Sequence, residues 1–164
     1  MIFSNLYIIA MEKRKELIVS AIENGTVIDH IPADKVFQVV KILGLETVST
    51  PVYVGINVES KKYGTKGFIK VSDKYFDPEV LNKIALVAPT ASIIEIKGYE
   101  VVRKQTVEIP ERIEKIVKCF NPNCVTNKEH DIPTKFRVKK VDGKIRLVCH
   151  YCEKYTSEEN FEFL

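Results

Sequence analysis

Residues 33–44, ADKVFQVVKILG, fix the reading of the first hundred residues. Val36, Val39, Val40 and Leu43 recur at helical spacing, and Gly44 can end the helix. On either side the apolar period falls from 3.6 to two. Upstream, KELIVSAI (15–22) reads as a strand, and TVIDHIP (26–32) follows the turn signal ENG. Downstream, VYVGINV (52–58) and KGFIKVS (66–72) read as strands around the loop SKKYGT. A second helix is marked by DPEVLNKIALVAP (77–89), with Asp77 at the N-cap, Pro78 at the first helical position and Pro89 beyond the end. SIIEIKGYEVVRKQTV (92–107) then gives two strand segments across Gly98. Strand, helix, strand, strand, helix, strand is the split βαβ order of ferredoxin-like folds. Such a sheet has helices on one face and leaves the other open to a ligand or a second subunit.

EIPERIEKIVK (108–118) links into a different pattern. Short strands follow, FRVKKV and IRLVC, joined by a DGK turn. A unit this small needs a metal or disulfides to fold. Its cysteines provide the means: CFNPNC (119–124) and CHYC (149–152) are separated by 24 residues. Each pair sits at a tight turn, and two such turns can converge on one ion. Four thiolates suit tetrahedral Zn²⁺ and leave no open position, so the metal is structural. The alternatives are two reducible pairs or four core thiols. His130 and His150 could substitute as ligands, but Cys119, Cys124, Cys149 and Cys152 already complete the set. The expected class is therefore α+β: a ferredoxin-like N-terminal βαββαβ domain over 1–106 and a small zinc-bound antiparallel β domain over 107–164.

Charge and motifs narrow the function. The net charge is +3, with 14 Lys or Arg against 12 acids in 1–106 and 11 against 10 in 107–164. Nucleic-acid binders usually concentrate basic charge, and only KFRVKKVDGKIR (135–146) does so here. Lys135, Arg137 and Lys139 alternate with Phe136 and Val138 there, as on a solvated strand face, and no aromatic residue interleaves for base stacking. A zinc-ribbon nucleic-acid binder remains the alternative reading. MIFSNLYIIAM (1–11) lacks a basic leader region and is too short to span a membrane, so a cytoplasmic location is expected. Residues 1–10 read equally as a dispensable extension or as an added edge strand or oligomer contact. No nucleophile constellation and no phosphate loop is present, which argues against an enzyme. Asp29-His30 could bind a sugar hydroxyl and a phosphate, or be a satisfied turn before Pro32.

GTVIDHIP (25–32), GTKGFIK (64–70), ALVAP (85–89), YEVVRK (99–104), PERI (110–113), the four cysteines and YCEK (151–154) occur in that order. Together they resemble the regulatory chain of aspartate carbamoyltransferase, from about residue 12 to the C-terminus. The resemblance implies a non-catalytic subunit of de novo pyrimidine synthesis. Regulatory homodimers would bridge catalytic trimers, with CTP, ATP and, in some members, UTP as effectors, one structural Zn²⁺ per chain, and no nucleic acid or membrane partner. It also implies site residues. Asp29 would face the ribose and His30 the phosphates, and Lys70 and Lys104 would serve triphosphate and ribose. Val19, Ala21, Ile22, Tyr99 and Val101 would surround the base. Asn121, Asn123 and Glu153 would contact the catalytic chain. From its own aromatic character, Phe120 is expected to pack below their loop as part of the small core. Ser20 and Ile94 depart from the family pattern near the base, which leaves effector preference open.

Overall fold

A computed structural model describes residues 19–164 of the chain. Residues 1–10, and residues 15–18 of the strand expected at KELIVSAI, lie outside the described residues. Residues 19–22 carry no strand, contrary to expectation, and the first strand among the described residues is β1, Gly25–Ile31. It starts at Gly25 for a steric reason. Its φ is 132° and a β-carbon there would collide with the Val71 carbonyl, so the chain can enter the sheet at this point only through glycine.

The remaining elements of the first unit follow the expected order. They are helix α1 (Val36–Ile42, preceded by a 3₁₀ turn at Ala33–Lys35), β2 (Val52–Ser60), β3 (Gly64–Ser72), α2 (Pro78–Lys83), β4 (Ser92–Lys97) and β5 (Glu100–Thr106). α1 stops before Gly44, which is left-handed with φ 62°. Asp77 stands at the N-cap of α2, but its side chain makes no capping bond; its carbonyl receives the Val80 and Leu81 N–H groups instead. All pairings are antiparallel, in the order β2-β3-β1-β4-β5. The first four are the ferredoxin-like sheet, and β5 extends it by a hairpin.

Register assigns each face of this sheet. Ile28 is paired with Ile69 and with Ile93. These three form one row of the core, with Ile31, Val36, Val39, Val71, Leu81 and Ile84 packed around them. Gly67 lets α1 approach, since a β-carbon would strike the Val36 side chain. On the opposite face the pairings Tyr53↔Lys70, Lys70↔Val27, Val27↔Ile94 and Ile94↔Lys104 make a continuous row across all five strands. These five residues are half-buried or exposed.

The second unit is a four-stranded antiparallel sheet, β6 (Arg112–Glu114), β7 (Lys135–Val141), β8 (Lys144–Cys149) and β9 (Tyr155–Ser157). The β7–β8 hairpin turns through Asp142 and Gly143, both at positive φ, which is the two-residue turn that matches strand twist. Its core joins Ile113, Val117, Phe136, Ile145 and Leu147 to the cysteines. Leu86, from the short turn after α2, is 4% exposed and buried in this second core, and Ile109 touches both cores.

Candidate metal centre and ligand-binding face

The four cysteines meet. Cys119, Cys124 and Cys149 are buried and Cys152 half-buried, with all four sulfurs within 4.8 Å of one another. The shortest approaches run between the turns: Cys119 to Cys152 and Cys124 to Cys149, each 3.7 Å. A disulfide requires about 2.05 Å. A tetrahedron of thiolates around one ion at 2.3 Å sets its edges at about 3.8 Å. The geometry is therefore that of a metal cage and not of two redox pairs.

Local bonds hold each turn. Asn127 Nδ2 donates to the carbonyls of Cys119 and Asn121, both at 2.8 Å, and Cys124 N donates to Asn121 O. Cys149 N donates to Lys154 O, and Glu153 N to Cys149 O. The Thr126 hydroxyl lies 3.3 Å from Cys124 Sγ. Burial pushes the Cys119 thiol up. At Cys152 desolvation acts in the same sense, but the Asn121 side chain, the Lys154 N–H and the Cys119 and Cys149 sulfurs together outweigh it and hold the thiol down to about 7. Asn121 thus turns toward the cage, and its Oδ1 also accepts the Asn123 N–H. Asn123 and Glu153 are exposed. Phe120 does not pack beneath the loop as expected. It is 60% exposed, because the room beneath is filled by the sulfurs and Thr156, whose hydroxyl takes the Phe120 N–H.

The residues singled out on the first unit fall into three groups. At one end, Val19, Ala21, Ile22, Tyr99 and Val101 surround the entry to β1. Tyr99 N donates to Glu23 O, and Ile22 is buried while Tyr99 and Val101 are exposed. In the middle, Lys70 Nζ donates to the carbonyls of Ser20 and Val19, at 3.0 and 3.4 Å, drawing that segment over the open face. Lys104 lies three strands away in the same row and lines a cavity of about 520 Å³ with Asn82, Ser92 and Thr106. At the other end are Asp29 and His30. β1 carries one extra residue between Ile28 and Ile31 relative to β3, and His30 has φ 59°. His30 N donates to Asp29 Oδ1 at 2.8 Å, and the Thr90 hydroxyl donates to His30 O at 2.8 Å. His30 Nδ1 is buried with no hydrogen-bond partner among the described residues, and Asp29 Oδ2 lies 3.7 Å away. The ring packs edge-on to Tyr63 and lines a cavity of about 640 Å³. His30 and Lys104 thus open into different cavities.

Lys66 was not singled out from the sequence, yet its Nζ lies 2.8 Å from the Asp29 carboxylate. Burial raises the Asp29 pKa, and the hydrogen bonds from Lys66 and the His30 N–H, with the Lys66 charge, together more than offset this, so the carboxyl is held below its usual range. The signal was available in KGFIK: Lys66 and Lys70 are four apart on one strand and must share a face.

Two family descriptions match the chain: the allosteric domain of the aspartate carbamoyltransferase regulatory chain over residues 17–108, and the metal-binding domain of the same chain over 111–162. Among curated relatives, the regulatory chain of Pyrococcus horikoshii is 54% identical over 146 residues, covering 88% of this chain and 95% of that one. The regulatory chain of Bacteroides fragilis is 46% identical over 153 residues, covering 93% and 99%. Both are named regulatory and not catalytic. The chain therefore belongs to the family of aspartate carbamoyltransferase regulatory chains, as a non-catalytic subunit.

Proposed function

We propose that this chain is the allosteric subunit of a cytoplasmic aspartate carbamoyltransferase in pyrimidine synthesis. It binds CTP, ATP or UTP on the open face of its first unit (1–106) and grips the catalytic chain through its second (107–164). The observation that carries the reading is the row Lys70–Val27–Ile94–Lys104. Two ammonium groups on an otherwise apolar strip suit a ligand with a flat base and a charged tail. Val19, Ala21, Ile22, Tyr99 and Val101 hold the base, Asp29 the ribose, and His30 the phosphates. Lys66 neutralises Asp29, so its carboxylate does not repel the triphosphate. Among the described residues, no helix is long and apolar enough to cross a membrane.

The metal is Zn²⁺, one per chain, held by Cys119, Cys124, Cys149 and Cys152. Four soft thiolates at tetrahedral spacing favour it. It shapes the loops that present Asn121, Asn123 and Glu153 to the catalytic chain. Among the described residues β2 has no partner on its outer side and exposes Tyr53, Val54 and Ile56, and such an apolar edge supports a homodimer through the first unit.

Calorimetric titration of CTP and ATP into the full chain tests the effector site. Lys70→Ala and Lys104→Ala should each lose a charge-assisted contact worth about 1.5–3 kcal/mol, roughly ten- to hundredfold in affinity. Unchanged binding in both variants moves the site elsewhere.

A further inference from the structure

The second sheet has an outer face that the metal centre does not use. Pairing places Arg112 beside Arg137, Arg137 beside Val148 and Val148 beside Tyr155, with Lys139 and Arg146 in the neighbouring row. Among the described residues, the cations Arg112, Arg137, Lys139 and Arg146 have no carboxylate partner within 4.0 Å, whereas Lys135 and Lys144 do. The Arg146 guanidinium lies 4.9 Å from the centre of the Tyr155 ring. Tyr155 is 56% exposed, and with Phe120 and Pro122 it lines a cleft of about 330 Å³ that has Lys154 at its rim. Two large aromatic side chains are thus held half in water beside unpaired cations, on the flank of a loop locked by the metal cage.

We propose that the Phe120–Tyr155 cleft, with Arg146 against Tyr155 and Arg137 two strands away in the same row as Tyr155, is an anchor point for the catalytic chain. It takes one apolar side chain of that chain, flanked by carboxylates. The inference rests on the regulatory-subunit reading and deepens it. Apolar anchors in a desolvated pocket, ringed by polar groups, dominate the energy of protein interfaces. The unpaired guanidinium groups call for carboxylates around the anchor and speed its approach. A stacked nucleic-acid base fits less well, because Arg146 already covers one face of Tyr155. The Phe120 backbone is fixed by its bond to Thr156 and by zinc ligation of the neighbouring Cys119, so little entropy is lost on docking.

The test measures association of the full chain with the cognate catalytic trimer by interferometry at several salt concentrations. The double variant Phe120→Ser/Tyr155→Ser should weaken binding about 30-fold or more, with metal content and CTP affinity unchanged. Phe120→Leu keeps an apolar anchor and should retain most of the affinity. Arg137→Glu/Arg146→Glu should slow association at low salt and flatten its salt dependence. A trimer that binds wild type and the serine variant alike overturns this inference and leaves the regulatory reading standing. A trimer that binds neither overturns both. A labelled single-stranded RNA bound by wild type at physiological salt and lost in Phe120→Ser would reassign the face to nucleic acid.

Discussion

The metal cage and the open sheet face are built by opposite means. The cage draws its four ligands from two turns, each closed within six residues, and brings the sulfurs within 4.8 Å. The open face draws its residues from all five strands. Its key lysines, Lys70 and Lys104, are separated by two intervening strands, and Lys70 Nζ touches two carbonyls and lies 5.7 Å from the centre of the Phe68 ring. A closed site of this kind is finished by the chain's own geometry once the ion is present. The open one is finished only by its ligand. The difference teaches where each will fail: the cage by losing one atom, the face by losing register.

The largest contrast should come from Cys149→Ser. Three thiolates cannot close the tetrahedron, and metal binding is part of the folding free energy of so small a unit. Metal content should fall well below one per chain. Hydrogen exchange should show loss of protection across β7 and β8 while β1, β3 and β4 stay protected. Full protection of β7 and β8 in this variant would mean that the second core stands without the ion.

Leu86→Ala probes where the two regions stop being separate. That side chain comes from the first unit and is buried in the second core. A buried leucine truncation costs about 2–5 kcal/mol. The loss should appear in denaturant unfolding of the second unit, with CTP affinity little changed. A loss confined to the first unit would show the two cores to be less joined than their packing implies.

The smallest effect belongs to Asp29 and Lys66. The folded carboxyl is depressed by Lys66, so the pair stabilises the fold above the unfolded carboxylate value of about 3.9. That contribution fades as pH falls through the lower folded value. Asp29→Asn should flatten the stability curve below about pH 4 by less than roughly 1 kcal/mol, since the pair is partly solvated. A variant whose curve overlays the wild type removes the pair from the energetic account.

The helices, the strands from β1 to β5 and the cysteine cage could all be read from the sequence, because each rests on local period or spacing. What escaped reading depends on distant partners. β6 and β9 are three residues long and exist only as neighbours of β7 and β8. Val19 to Ile22 look like a strand by composition, but Lys70 takes two of that segment's carbonyls. Phe120 reads as core because it is aromatic, yet the sulfurs and Thr156 occupy the space beneath it. The Asp29–Lys66 pair required knowing that β1 lies beside β3.

The extra residue in β1 has a consequence for how this strand can vary in length. Ile28 and Ile31 both reach the core at 0% exposure only because the bulge between them absorbs one position. Delete His30, and strand alternation alone would return Ile31 to the same inward side, in a regular strand one residue shorter. The insertion is thus neutral for packing, and it adds an imidazole on strained backbone with a buried Nδ1 that makes no hydrogen bond among the described residues. A sheet under selection for stability alone has no use for that residue, so a deletion here would separate what the strand needs in order to fold from what it has kept for another purpose.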